Sequence, residues 1–458
     1  MVNEGRRRAL QTIGALVAGL IVGGAAGYYL KPAVEAVKTV TKSVTVTKTA
    51  TVTKTVSASV TQTPVKFEFC HFWSAGTEAE SMKMLYDAFK ERYPYVEIID
   101  TPFKDSATLY ASMRTRLLAG NAPSAFHAHG GYATFQFADY LEDISDLWEE
   151  QGWVNIFDEG TKSVCRYEGK YVAIPITLCR CNLIEYNIKL FEKQGIKVPE
   201  DVDTWDGFVA VLEKLRKAGI EWPIAMGTKW NLVWTLMNLL APVPKTYEKL
   251  CNGELTKGDV TPLLEKLNTI LDYTNPDLLE LTWDAGPLKV MKGEAAMSSG
   301  GDWLVMVYRA KGWKYGEDFG YFVLPGAWGR CIVSYDNFMI PKESPTPELA
   351  REFLKTVLDI EVWQPFAVFR SCLPARTDAD VEYIASRNRF TGDELKELKK
   401  YGMRTYPAIV NGTPAGVELR FAEILSEFLT HRDIDRTADE IVDMQKEFEY
   451  TIRWSFVE

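Results

Sequence analysis

Four histidines occur in the 458 residues, at positions 71, 127, 129 and 431. So few imidazoles argue against a multi-histidine metal centre. Cys179 and Cys181 make a Cys-x-Cys pair with no second cluster, which is a poor zinc site. No Gly-x-Ser-x-Gly, His-Glu-x-x-His, phosphate-loop or calcium-loop string is found. Glycoside hydrolysis needs only two carboxylates about 5–10 Å apart, and with 62 acids in the chain counting cannot exclude it. No metal and no cofactor is expected. The chemistry left is non-covalent recognition by rings and charges. Trp73 closes a strand-like stretch, and Glu78 follows at the start of a helical one. His129-Gly130 closes another such strand. Asp302 stands in Gly300-Gly301-Asp302-Trp303, a helix start that orients a carboxylate. Each has a plainer reading: a core tryptophan, an acid favoured by the helix dipole, a loop histidine, an ordinary helix cap.

The elements that must position these residues follow from periodicity. Residues 66–72 alternate and are aromatic, as a strand requires. Residues 78–93 carry Met82, Leu85 and Phe89 at helical spacing, with Ser74 or Thr77 as cap. A strand at 95–100, a helix at 107–118 and a strand at 124–128 follow. This alternation predicts an α/β fold with a largely parallel sheet. Ligands of such sheets sit at the carboxyl ends of strands, which singles out residues 73–78 and 129–130. Further helices are expected at 205–217 (capped by Asp203 or Thr204), 232–240, 263–273 and from Leu304. Strands are expected at 295–297, 320–324 and 332–340, and residues 418–453 read as mostly helical.

Composition separates the N-terminus from the rest. Residues 1–64 hold eight Lys/Arg and two Asp/Glu, a net of +6, which leaves −16 on the remainder of a chain at −10. An acidic body with no basic cluster excludes a nucleic-acid partner. After Arg6-Arg7-Arg8, residues 9–30 are uncharged, long enough for a membrane helix with the arginines inside; a cleaved signal peptide is the alternative. Thr-Val-Thr-Lys then recurs at 39, 45 and 51 in a Thr-rich spacer over 31–64. The expectation is an anchor at 1–30, a linker at 31–64 and an exported body standing off the membrane.

Phe72-Trp73-Ser74-Ala75-Gly76-Thr77-Glu78-Ala79-Glu80 resembles the opening of the extracellular solute-binding proteins (family 1) of carbohydrate ABC transporters, above all their glucose/mannose-type branch. Phe72 and Thr77 replace a Trp and a Gly of that pattern. Leu118 through Pro123, Gly169 through Pro175, Tyr186-Asn187, Gly301-Asp302-Trp303 and Leu373 through Asp378 continue the resemblance in order over residues 66–458. The anchor and stalk are similar to those of archaeal surface-tethered members. The resemblance implies a two-lobed periplasmic-binding-protein-like α/β fold of the class II type. Its lobes would be 65–177 with 332–374, and 178–331 with 375–458, with crossings near 176–181, 331–336 and 369–376.

The implied partners are a sugar, the permease subunits of an ABC transporter and, through the N-terminal helix, the membrane; a monomer is expected. The implied ligand residues are Trp73, Glu78, His129 (in place of a family Lys), Trp230 and Asp302, with Asp336 and Arg370 as further candidates. Trp234, at i+4 from Trp230, reads as core. Asn411-Gly412-Thr413 is a glycosylation sequon, expected to be exposed. Seven cysteines leave the disulfide connectivity open. A secreted glycoside-acting enzyme and a sugar-binding adhesion or sensor module are the alternatives.

Overall fold

Phe67 and Phe69 alternate with Lys66 and Glu68, so the first strand turns an aromatic face inward, and both rings are fully buried. The computed structural model describes residues 64–74, 76–402 and 404–456. The expected anchor, and the linker before Pro64, lie outside the described residues. Among the described residues no helix is long and apolar enough to cross a membrane. The chain divides into two compact units, residues 1–66 with 93–97 and residues 67–92 with 98–458. In the first, Tyr93 and Tyr95 meet edge-on with ring centres 6.2 Å apart. The second contains the candidate site.

Strand β1 (Val65–His71) leads into helix α1 (Gly76–Arg92), whose Met82, Leu85 and Phe89 are buried at the expected spacing. Strand β2 (Val96–Pro102), helix α2 (Ser106–Leu118) and strand β3 (Ala125–His129) follow. The Asp105 carboxylate caps α2 by accepting from Thr108 N. Strands β4 (Arg166–Tyr167) and β5 (Lys170–Tyr171) form a hairpin. Strands β6 (Ile174–Arg180) and β11 (Arg330–Met339) join β1–β3 and β12 (Arg404–Pro407) in a six-stranded sheet, order β12-β11-β3-β1-β2 with β6 on β11. Strands β7 (Leu183–Asn187), β8 (Ile224–Ala225), β9 (Met297–Gly300) and β10 (Phe319–Phe322) form a second sheet, order β10-β7-β9-β8. Each sheet has its own apolar core. Leu109, Phe126, Phe137 and Met339 belong to one, and Leu183, Ile184, Met297 and Phe322 to the other.

The first sheet is mixed rather than largely parallel. β1 and β3 are parallel, but β11 runs antiparallel to both β3 and β6. The chain leaves this sheet after β6 and returns 150 residues later in β11, so the early β-α alternation does not govern the returning strand's direction. β11 pairs through residues 330–333 with β12 and through 336–339 with β3. Leu373 bridges Leu178 on β6. The three segments expected to cross therefore lie side by side.

Helix α3 (Lys229–Leu240), helix α4 (Asp302–Ala310), helix α5 (Ile360–Arg370), helix α6 (Arg389–Tyr401) and helix α7 (Val417–His431) complete the frame of the site. Thr204, not Asp203, caps the helix Trp205–Lys217. The long C-terminal helix is broken. Arg432 takes a left-handed φ of 55°, and the Asp433 carboxylate caps a new helix, Ile434–Met444, by accepting from Arg436 N. Residues 448–456 carry no helix. The strand expected at 295–297 is shifted to Met297–Gly300.

Candidate functional site

His127 and His129 lie two apart on β3, so both rings project from one face. The register sets His129 opposite Asp336 of β11. Asp336 Oδ1 is 3.0 Å from His127 Nε2 and 2.9 Å from His129 Nδ1, and Thr177 Oγ1 donates to Oδ2 at 2.5 Å. The β11–β6 pairing shifts register between Asp336 and Asn337, an irregularity that re-aims side chains. Asp336 is itself 4% exposed. Behind it, at the end of α5, Arg370 Nη1 stands 3.5 Å from Glu78 Oε1. Arg370 Nε is buried and finds no acceptor among the described residues.

Charge follows from these contacts. Burial alone would raise the Asp336 carboxyl, but hydrogen bonds from His127 and His129 hold it well below the usual range. Burial lowers His127 to about 4, so it is neutral near pH 7. Burial also opposes a charge on His129, yet Asp336, Glu418 and Glu78 together raise it. Burial pushes Glu78 up to about 7 against the pull of Arg370, and Glu418 to about 7 against His129.

Asp336, His129, Glu78, Arg370 and Glu418 line a cavity of about 170 Å³, with His127 and Thr177 buried behind them. Trp230, Trp234, Trp283 and Trp303 line it as well, and all four are partly exposed. The Trp234 and Trp303 rings meet edge-on, 4.8 Å between centres. Trp230 and Trp234 sit one turn apart on α3, and Trp303 begins α4. The site thus combines flat apolar rings with fixed donors and acceptors, an arrangement suited to reversible capture of a polar small molecule.

Of the residues singled out in the sequence, Trp73, Glu78, His129, Trp230, Asp336 and Arg370 come together around this cavity. Asp302 does not. It is fully buried, Oδ2 accepts from Arg180 N at 2.9 Å, and its neighbour Trp303 lines the cavity instead. Burial pushes the Asp302 carboxyl well up. Asp302 therefore fastens the end of β6. Trp73 is only 1% exposed, so its indole is mostly a buried support. The sequon is not exposed. Asn411 and Thr413 are buried, and Asn411 Nδ2 donates to Gly130 O at 3.0 Å and to Tyr335 O at 3.1 Å. A glycan has no room there in the folded chain. Trp234, Trp283, Trp303 and Glu418 are lining residues that sequence reasoning missed. The one signal for Trp234 was its place one turn after Trp230. All seven cysteines are buried free thiols.

The cavity lies between strands β3, β6 and β11 of the first sheet and helices α3 and α4, and a concave site of rings and charges of this kind is where a binding protein takes up a solute. The chain belongs to the bacterial extracellular solute-binding protein family, whose pattern it matches over residues 84–391. It is 31% identical over 403 residues to an uncharacterized ABC transporter extracellular-binding protein of Pyrococcus horikoshii, covering 85% of this chain and 89% of that one. It is 25% identical over 394 residues to a xylose/arabinose-binding protein of Haloferax volcanii, covering 82% and 84%. Among solved structures it is similar to a chitin oligosaccharide binding protein at a TM-score of 0.73 and 20% identity, covering 84% of this chain and 99% of that one. That likeness establishes the two-lobed α/β fold. The family is one of binding proteins rather than enzymes.

Proposed function

We propose that this protein captures a mono- or oligosaccharide outside the cell and delivers it to the permease of an ABC transporter. One observation carries the reading: four partly exposed indoles share a single cavity with Asp336, His129, Glu78 and Arg370. Sugar rings offer C–H faces to aromatic surfaces and hydroxyls to charged partners, which make the stronger hydrogen bonds. At about 30 Å³ per water, a volume of about 170 Å³ corresponds to roughly six waters, the scale of one sugar ring. The xylose/arabinose-binding relative, and a probable sugar-binding periplasmic protein of Mesorhizobium japonicum at 26% identity, support the reading.

In this reading the lobes are 65–177 with 332–374 and 178–331 with 375–458, hinged on β6, β11 and the segment at Leu373. A ligand touching both lobes favours the closed arrangement by population shift. The protein acts as a monomer of the glucose/mannose-type branch, held on an archaeal cell surface by residues 1–30. The +6 charge and Thr-rich composition of residues 1–64 support the tether. A thermal-shift screen of the full chain against a panel of sugars tests the function, since a ligand of the native state raises its stability. A shift with a sugar is expected; shifts with amino acids or peptides alone would overturn the assignment.

A further inference from the structure

A second cavity of about 130 Å³ adjoins the first. Ser106, Trp230, Val410 and Glu418 line both, so the two share a wall with one indole and one carboxylate on it. The far side of the second cavity is polar in a different way. Arg114 donates to Gln136 Oε1, and Gln136 Nε2 donates to Ala133 O at 2.7 Å. Tyr110 ties the cavities together: it lines the second, while its hydroxyl accepts from the backbone N of His129, which lines the first.

A single sugar ring accounts for the first cavity and leaves the second without a purpose. A chain of rings accounts for both. The Trp230 indole, bordering each cavity, offers a stacking face at the junction. Glu418 offers a hydroxyl partner there, and Arg114 and Gln136 offer further donors and acceptors beyond it. We infer that the ligand is an oligosaccharide of two or more rings, one ring in the Asp336 cavity and the next in the cavity of Arg114 and Gln136. This rests on the sugar-binding reading and narrows it.

Calorimetric titration of the full chain with matched series tests it: xylose, xylobiose and xylotriose; glucose, maltose and cellobiose; N-acetylglucosamine and chitobiose. In the series that binds, the two-ring sugar should bind roughly tenfold tighter than its one-ring parent, the scale of one added stacked ring. Ala415→Trp, which fills the second cavity, and Gln136→Ala should each bring that ratio toward one. If Ala415→Trp does not fold, Gln136→Ala carries the test. A one-ring sugar that binds as tightly as every two-ring relative, or a ratio that survives both variants, overturns the inference. If no saccharide of either length binds, the sugar-binding reading itself fails.

Discussion

The Arg370 guanidinium lies 4.3 Å from the centre of the Trp73 indole. The ring that was expected to line the ligand cleft is therefore engaged by a cation, and His127 and Phe366 crowd it with ring centres 4.6 and 6.0 Å away. Trp73 holds Arg370 in place beside Glu78. Removal of so large a buried ring costs about 3–5 kcal/mol. Trp73→Ala should lower stability by that amount in denaturant melts and weaken sugar binding by releasing Arg370. Trp73→Phe should retain most of the stability. A Trp73→Ala protein with unchanged stability would contradict the supporting role.

Trp230 and Trp303 stand in the opposite case. Both are partly exposed in the cavity, so truncation removes contact with the ligand more than packing. Trp230→Ala and Trp303→Ala should each weaken sugar binding about tenfold, the loss of one stacking contact. Their melting temperatures should fall less than that of Trp73→Ala. Titration and melting of the three variants side by side check the contrast.

The strands and helices that frame the site were legible where the pattern is local: the alternation of β1, the spacing of Met82, Leu85 and Phe89, the apolar run of β11. Partner choice was not, because the pairing of β11 with β3 and β6 joins residues some 150 to 210 apart and leaves no trace in the local period. Residue type at the site was read better than direction. In Gly301-Asp302-Trp303, successive helix residues point about 100° apart, and here Trp303 faces the cavity while Asp302 turns to Arg180 N. The sequence pattern favoured the acid, and tertiary packing turned the tryptophan inward instead. Glu418 looked like an ordinary first-turn acid of an amphipathic helix, and only the fold brings it near His129.

Breaking the Asp336 pair should be costly in both stability and binding. Asp336→Ala leaves Thr177 and two histidines without their carboxylate, and loss of one partner of a buried pair costs about 3–5 kcal/mol. Sugar binding should be abolished. Asp336→Asn restores a hydrogen-bonding group without the charge and should recover part of the stability but little of the affinity. Equal affinity in Asp336→Asn and the parent would show that the charge plays no part.

Glu418 should give the protein a pH signature. Its carboxyl titrates at about 7 when folded, against an ordinary value of 4.5. Between those values the folded state holds a proton that the unfolded chain has released. This contribution to stability is complete below about pH 4.5 and is lost as pH rises through 7. Glu78 acts in the same direction, while His127, lowered to about 4, acts in the opposite one. Comparison with Glu418→Gln isolates one group. The melting temperature of the variant relative to the parent should climb between about pH 5 and about pH 8. A flat difference would mean that Glu418 ionises freely in the folded protein.

Asn411 tests whether the sequon is structural. Its amide ties Gly130 to Tyr335, the residues next to His129 and Asp336, so it holds β3 and β11 at the spacing the site needs. Asn411→Ala leaves two carbonyls without that donor, at a cost of about 1–3 kcal/mol, and should weaken sugar binding although residue 411 is not among those lining the cavity. A glycan on this amide would have to replace both hydrogen bonds in a site with no exposed surface. Mass spectrometry of protein made in a glycosylating host should therefore find Asn411 unmodified in the folded fraction. Finding a glycan there on protein that still binds sugar would show that the segment opens without disturbing the site.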